Sequence, residues 1–153
     1  MSAGAGVTLR RAVAADAEAL AAIQHGAYAR NRDILGVEPI PLKTSAADII
    51  AGKETWLAEE DGAALGALAL ERDGEALLVW SVATAPAAQG RGLGRQMLAF
   101  AHRRARELGL KRITLYTGEK LTGNVEWYRR NGFAVDRIED MGDRRVVHMS
   151  KTI

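Results

Sequence analysis

The residues of this chain best suited to chemistry lie in a short glycine-rich segment. Residues 89–95 read Gln-Gly-Arg-Gly-Leu-Gly-Arg and join an apolar run, 76–83, to an amphipathic run, 93–108. A loop with several glycines can turn its backbone N–H groups toward one point, and a following helix adds unpaired amides and the positive end of its dipole. Such a loop binds phosphate. Arg91 and Arg95 support this interpretation, because the dipole disfavours each cation by ~0.3–1 kcal/mol unless an anion is bound.

Two common phosphate-binding loops do not fit this segment. A P-loop requires Lys and then Ser or Thr after the glycines, whereas Gly94 is followed by Arg95 and Gln96. A dinucleotide fingerprint requires glycine at its last position, which is Arg95 here, and an acidic residue about 20 positions later in a parallel strand. An alternative stays open in which residues 89–95 form a glycine-rich turn that only lets the helix pack closely on the sheet. Such a turn would gain nothing from the flanking arginines.

Periodicity and turn signals predict the elements that position this loop. We predict strands over residues 7–11, 55–60, 64–71, 76–83, 112–117, 133–138 and 145–151. We predict a helix from Asp16 as N-cap through Tyr28, and a short helix capped by Thr44 or Ser45 that runs through Ile50 and is ended by Gly52. Two further helices are predicted from Leu93 to Leu108 and from Asn124 to Arg130. Residues 30–43 should form a loop or broken helix. Asp-Gly pairs at 61–62 and 73–74 favour antiparallel hairpins. This order predicts an α+β, or three-layer α/β, domain.

Composition limits the possible classes of function. With 153 residues, no evident linker and no repeat, we expect a single domain over 1–153 whose first six residues are flexible. The absence of cysteine excludes disulfides, thiolate nucleophiles and cysteine-based zinc sites, and it fits a cytoplasmic location. Three histidines at unrelated positions predict no metal site. No signal peptide or membrane-length apolar run is evident. A net charge of +2 argues against a nucleic-acid partner. Nucleic-acid binding by the arginine-rich helix stays an alternative, and it predicts that DNA or RNA retains the protein in a salt-sensitive way.

The pattern Gln-x-x-Gly-x-Gly after a strand and Pro86 resembles the acetyl-CoA-binding signature of the GNAT-type N-acyltransferase superfamily. The resemblance implies a mixed, mostly antiparallel sheet that splays at a central strand pair and is flanked by helices. It also implies that backbone groups of Val82 and Thr84 contact the pantetheine arm of coenzyme A. The pyrophosphate would be held by the amides of Gln89, Gly90, Arg91, Gly92, Leu93, Gly94 and Arg95.

Residues 124–133 are similar to a later motif of the same family, in which an Asn precedes a Tyr by four residues and Gly-Phe closes the helix. Asn124 and Tyr128 would share one helix face and reach one cleft. The resemblance implies that the Tyr128 phenol, protonated near neutral pH, gives a hydrogen bond or a proton to the departing sulfur. Asn124 would bond the pantetheine amide or a water, or serve as the helix N-cap. The alternative for Tyr128 is core packing beside Phe133.

The implied reaction is the attack of a primary amine on the acetyl thioester of acetyl-CoA. No general base is evident: Glu71, Glu59, Glu38 and Tyr116 are candidates, and water is the remaining acceptor of the proton. Tyr28 and Trp80 are candidate contacts to the amine.

The identity of the amine is left partly open by the sequence. Residues 117–123 lack the Asn that peptide-acetylating relatives often carry there, which favours a small-molecule amine over a protein lysine or N-terminus. A non-catalytic acyl-CoA sensor with the same fold is the rival class. A homodimer through the C-terminal strand is possible.

Overall fold

One eight-stranded sheet runs through the protein and carries helices on both faces. The computed structural model describes residues 2–4 and 6–153, so Met1 and Ala5 lie outside the described part. The strands are β1 (Ser2–Gly4), β2 (Val7–Arg11), β3 (Glu54–Glu60), β4 (Ala63–Asp73), β5 (Ala76–Thr84), β6 (Arg112–Gly118), β7 (Ala134–Asp140) and β8 (Arg145–Thr152). Their order in the sheet is β1-β2-β3-β4-β5-β6-β8-β7. The predicted α+β class and mostly antiparallel sheet are confirmed.

The helices also follow the prediction closely. They are α1 (Ala17–Tyr28), α2 (Asn31–Leu35), α3 (Ala46–Gly52), α4 (Leu93–Glu107) and α5 (Thr122–Arg130). Single 3-10 turns lie at Ala14–Asp16, Ile40–Lys43 and Pro86–Ala88. The predicted break in residues 30–43 is confirmed. Ser2–Gly4 pair with β2 as an edge strand, and the expected flexibility of residues 1–6 stays a prediction.

Two separate hydrophobic clusters lie on opposite faces of the sheet. One joins α4, through residues such as Met97 and Ala101, to inward-facing residues of β4 and β5 such as Leu68 and Leu77. The other joins Leu20 and its neighbours in α1 to the opposite face of β3 and β4. Alternate residues of the central strands face opposite helices, so β4 is buried on both sides. The sheet is thereby a rigid support for the loops at its ends.

The central strands β5 and β6 separate partway along their length. They form the parallel pair of the sheet, but their pairing covers only Ala76–Leu78 against Arg112–Thr114. On the other edge of β5, Val79 pairs with Leu70 and Ser81 with Ala69, so Trp80 is an extra residue in a β-bulge. Beyond this point β5 pairs only with β4, and a wedge-shaped opening separates it from β6. The predicted splay is confirmed.

Asp16 lies where the sequence places it but has a different role from the predicted N-cap. Its carboxylate makes no capping hydrogen bond to α1. It accepts hydrogen bonds from the Val13 N–H at 2.7 Å and from two nitrogens of Arg10 at 2.9 Å. The Arg10 guanidinium also binds Glu59 on β3 at 3.0 Å. These contacts fasten the turn before α1 to the sheet.

We expect this network to make stability depend on pH in the acid range. The Arg10 hydrogen bonds, and then the Val13 N–H, lower the pKa of Asp16 to about 2 from its usual value of 3.8. A lowered carboxyl pKa stabilises the fold above pH ~4, and the contribution is lost as pH falls through ~2. Asp16→Asn should therefore lower Tm at pH 7 and have much less effect at pH 2. Thermal unfolding of both proteins between pH 7 and pH 2 measures this, and an equal Tm difference at all pH values would contradict it.

The C-terminal end of the sheet differs from the expectation for dimerisation. The last strand, β8, is internal, because it pairs with β6 on one side and β7 on the other. The free edge at this end belongs to β7, where Val135 and Ile138 are exposed. Dimerisation through β8 is therefore corrected: edge-to-edge pairing at this end would use β7, and the homodimer itself stays a prediction.

Candidate active site

The glycine-rich loop lies at the end of β5 and leads directly into α4. Gly90 and Gly92 have φ values of +81° and +76°, the left-handed region that residues with a Cβ avoid. Gly92 is the N-cap of α4, so the loop ends where the first unpaired amides of the helix begin. Gly94 is needed for another reason: a Cβ there would lie 3.2 Å from the indole of Trp127. The first two glycines shape the backbone, and the third lets α5 come close.

A groove runs between this loop and α5. Its lining is Ala27, Tyr28, Arg30, Asn31, Val82, Thr84, Ala88, Gln89, Gly90, Gly92, Leu93, Gly94, Arg95, Asn124, Trp127, Tyr128, Arg130 and Asn131. The groove is cationic: three arginines line it, and no Asp or Glu does. Nine of the ten residues predicted to bind the cofactor lie in this lining. A positive groove beside a helix N-terminus suits a polyphosphate.

Arg91 is the tenth predicted residue, and its side chain points away from the groove. Its Nη2 donates to both carboxylate oxygens of Glu60 at 3.0 Å, at the end of β3. The Arg91 side chain is therefore held by Glu60, whereas Arg95 lines the groove. Binding of the pyrophosphate by the backbone amides of both residues stays a prediction. The sequence also gave no sign of Arg30 and Arg130, which come from other elements and supply the remaining charge.

The end of β5 is held by side chains that bond its carbonyls. Tyr28 donates from its hydroxyl to the Val82 carbonyl at 2.9 Å, and Gln89 donates to the Thr84 carbonyl at 3.3 Å. The Tyr28 oxygen also lies 2.9 Å from Ser81 Oγ. Burial raises the pKa of Tyr28 to about 12, so its hydroxyl stays protonated and keeps donating. Tyr28 therefore positions β5, a role that its candidacy as an amine contact did not include.

A second pocket, with a cavity volume of about 80 Å³, opens in the wedge between β5 and β6. Its lining is Tyr28, Asn31, Leu35, Pro39, Ile40, Pro41, Val79, Trp80, Ser81, Val82, Tyr116, Thr117, Gly118, Leu121, Asn124, Tyr128, Arg144 and Val146. Strand residues and α5 form one wall, and α2 with the turn after it covers the pocket. We call it the acceptor pocket. Its lining includes Trp80, whose contact with the amine stays a prediction.

The groove and the acceptor pocket meet at five shared residues, Tyr28, Asn31, Val82, Asn124 and Tyr128. Tyr128 is half-buried at this junction, and its ring contacts Trp127 and Phe133 with centroids 5.1 and 5.9 Å away. Burial, reinforced by the nearby Tyr28, raises the pKa of Tyr128 above its usual range. The ring therefore packs beside Phe133, as the core-packing alternative for Tyr128 requires. The same residue also borders both cavities.

Asn124 does not have the capping role that the sequence allowed. The helix α5 begins at Thr122 with Leu121 as N-cap, two residues earlier than predicted. Asn124 is therefore inside the first turn, and its backbone N–H donates to the Leu121 carbonyl at 3.0 Å. Its side chain is exposed and lines both cavities. The N-cap interpretation is wrong, and the side chain is free to bind a ligand or a water.

None of the three carboxylates considered as the general base, Glu38, Glu59 and Glu71, lines the acceptor pocket. Glu59 binds Arg10, Glu71 binds Lys53 at 3.0 Å, and Glu38 binds Arg32 at 2.7 Å. Tyr116 does line the pocket, but burial raises its pKa. A protonated phenol is a poor proton acceptor. The lining itself therefore offers no side-chain base.

A family model described as the acetyltransferase (GNAT) domain matches residues 51–135, more than half of the chain. The chain belongs to the GNAT family of acetyltransferases. The match includes the glycine-rich loop, the splayed strands and α5. Membership confirms the acetyltransferase family that both motifs resemble.

Individual relatives of this GNAT domain are distant. Mycothiol acetyltransferase of Cellulomonas flavigena is 40% identical over 63 residues, which are 41% of this chain and 18% of that protein, so the match spans less than a fifth of that relative. Among solved structures, PaiA N-acetyltransferase from Thermoplasma acidophilum in complex with coenzyme A has a TM-score of 0.78 at 15% identity, over 96% of this chain and 99% of that one. The ribosomal-protein-S18-alanine N-acetyltransferase from Escherichia coli has a TM-score of 0.77 at 18% identity, over 96% and 94%. At these identities the likeness establishes the fold.

Within residues 2–4 and 6–153, no helix has both the length and the apolar character needed to cross a bilayer. Over the same residues, no three Asp, Glu or His side chains come together as a metal site would require.

The two arginines of the loop provide a matched pair for testing the groove. We expect Arg95→Ala to weaken acetyl-CoA binding by roughly 10-fold, since a charge-assisted hydrogen bond contributes about 1.5–3 kcal/mol and part of it is recovered by water. Arg91→Ala should change the affinity less than 2-fold, because that guanidinium binds Glu60. Isothermal titration calorimetry with acetyl-CoA compares the two, and equal losses would contradict the assignment of the groove.

Proposed function

We propose that this protein transfers the acetyl group of acetyl-CoA to a primary amine by direct attack, and that the amine belongs to a small molecule. The observation that carries the proposal is the meeting of a cationic groove and a covered pocket at Tyr128. The groove suits the diphosphate of coenzyme A, and the pocket suits a second substrate. Their junction is where two substrates would come into contact.

The residues of the junction have distinct roles in this proposal. The amides of 89–95 hold the diphosphate, and backbone groups of Val82 and Thr84 guide the pantetheine arm to the junction. Tyr28 and Gln89 keep that strand end in place through its carbonyls. Asn124 bonds the pantetheine amide or an ordered water. Trp80 forms part of the wall that contacts the amine.

The chemical step follows from the neutral phenol of Tyr128. The amine nitrogen attacks the thioester carbonyl, a C–N bond forms and the C–S bond breaks. Tyr128 gives its proton to the departing sulfur, and it regains one from solvent. The lining of the acceptor pocket has no carboxylate or imidazole, so the amine has to enter neutral, and the proton that its nitrogen loses after the attack passes to water. The products are an N-acetylated amine and coenzyme A.

A small acceptor is favoured over a protein by the cover of the pocket. The helix α2 and the turn at Pro39–Pro41 lie across it, so a peptide chain would have to enter past them. A protein lysine or N-terminus is the second candidate, which a flexible α2 would permit.

The test is thiol release from acetyl-CoA, followed with a thiol reagent across a panel of small amines and lysine-containing or free N-terminal peptides. We expect release with small amines at rates well above hydrolysis. Release with peptides alone would instead support a protein acetyltransferase. Tight acetyl-CoA binding with no release for any amine would support the sensor and overturn the proposal.

A further inference from the structure

The acceptor pocket is lined by a buried arginine side chain that belongs to neither of the two sequence motifs. Arg144 precedes β8, and its side chain is only 5% exposed. It lines the acceptor pocket, and it is the one residue of that lining with a charge at neutral pH. Burying a guanidinium away from water is costly unless it is paired, so such a residue is rarely placed at random.

The protein itself satisfies only part of this guanidinium. Nε and Nη2 of Arg144 donate to the two carboxylate oxygens of Asp143, both at 3.2 Å. That distance is at the long end for a charge-assisted bond, and the Asp143 carboxylate is half-exposed at 49%. A guanidinium has five N–H donors. Over residues 2–4 and 6–153, Asp143 is its hydrogen-bond partner, which leaves the donors of Nη1 for a ligand.

We propose that Arg144 binds an oxyanion on the amine substrate, so that the acceptor is an amino carboxylate with an apolar body. This inference rests on the proposed function, because it identifies the molecule in the acceptor pocket. The remaining wall is mostly apolar, from residues such as Leu35, Ile40, Val79 and Trp80. A planar guanidinium matches the two oxygens of a carboxylate, and it holds them in one orientation.

The same geometry argues against a second positive charge on the acceptor. No Asp or Glu lines the pocket to balance a diamine or polyamine, and Arg144 would repel it. The groove meets the acceptor pocket at Tyr128, so the amine of an acceptor held by Arg144 would have to face that junction. The arrangement therefore selects zwitterionic small molecules over polycations.

The experiment compares each acceptor with itself, so that differences in amine basicity cancel. The pairs are leucine with 3-methylbutylamine and phenylalanine with 2-phenylethylamine, each assayed with wild type and Arg144→Ala. We expect kcat/KM for the amino acids to fall roughly 10- to 100-fold in the variant, as for loss of a charge-assisted pair, and kcat/KM for the amines to change less than 3-fold. Arg144→Lys should recover part of the loss, since it keeps the charge but not the planar fork.

Arg145→Ala is the matched control, because Arg145 is the next residue, is about half-exposed and binds Glu119 at 3.1 Å outside the acceptor pocket. It should leave both members of each pair unchanged. Equal losses for amino acid and amine in Arg144→Ala would show a structural role and overturn the inference. So would a wild type that acetylates only amines without a carboxylate.

The failure of this inference can be separated from the failure of the proposed function. Calorimetric titration of leucine into the complex with coenzyme A reports binding without turnover. Binding that Arg144→Ala abolishes, in a protein that releases no thiol, would support the carboxylate site and overturn the transferase. Thiol release from amines in a wild type that shows no preference for carboxylates would support the transferase and overturn the site.

Discussion

Replacing Tyr128 by phenylalanine should lower kcat about 100-fold while acetyl-CoA binds as before. General acid catalysis by a positioned side chain contributes roughly 10²–10⁴-fold, and a thiolate is a better leaving group than most, which puts the effect at the low end. The ring packs against Trp127 and Phe133, and phenylalanine keeps those contacts. Steady-state kinetics with a reactive amine and calorimetry with acetyl-CoA measure the two quantities.

Tyr116 provides the comparison for this variant, because it is a phenol of the acceptor pocket that does not line the groove. Tyr116→Phe should alter the acceptor KM rather than kcat. An unchanged kcat in Tyr128→Phe would remove Tyr128 from the chemistry and leave it as a packing residue. The pH profile is a second check: since burial raises the pKa of Tyr128, the acid stays protonated, and the rate should rise as the amine deprotonates without a fall below pH ~10.

Replacing Gly92 by valine should weaken acetyl-CoA binding roughly 100-fold. With a Cβ, φ near +76° becomes strained, so the loop relaxes and its N–H groups no longer point toward one anion. Loss of one or two hydrogen bonds to a charged phosphate, at about 1.5–3 kcal/mol each, accounts for that size. Calorimetric titration with acetyl-CoA, and with coenzyme A alone, measures the effect.

The control for this strain is Gly74→Val. Gly74 has φ +61° in the turn between β4 and β5, has open space around it and does not line the groove. Both variants should lose thermal stability, because both force a branched residue into the left-handed region. Only Gly92→Val should lose affinity. A Gly92→Val protein that binds acetyl-CoA normally would show that the diphosphate does not depend on the loop backbone.

Local sequence patterns were sufficient for most of the fold and for the position of the glycine-rich loop between β5 and α4. The strands from β2 onward and the helices α1, α3, α4 and α5 come from periodicity and caps that act within a few residues, so a single stretch of chain contains the information. Ser45 is an example: its Oγ accepts the Asp48 N–H as a cap should. The glycine-rich loop is likewise local, since its backbone conformation depends on its own residue types.

Side chains that meet across the sheet could not be predicted in this way. Arg91 and Arg95 look equivalent in the chain, but Glu60 on β3 draws one of them away from the groove. Tyr28 has helical spacing like its core neighbours, and only the approach of β5 gives its hydroxyl a carbonyl to hold. Whether an arginine of the loop meets a carboxylate of a distant strand depends on how the strands are aligned in the sheet, and the loop sequence does not encode that alignment.

By itself, the sequence determined the family and the position of the phenol on its helix, because those features depend on short contiguous motifs. The tertiary structure alone decided which cations face a ligand. Residues 143–145 read Asp-Arg-Arg, and nothing in that order says that Arg144 is buried in the acceptor pocket while Arg145 remains half-exposed beside Glu119. The two arginines differ because successive side chains at the start of β8 point in different directions, and because the wedge between β5 and β6 gives one of them a pocket. The direction and the pocket exist only once the strands are paired.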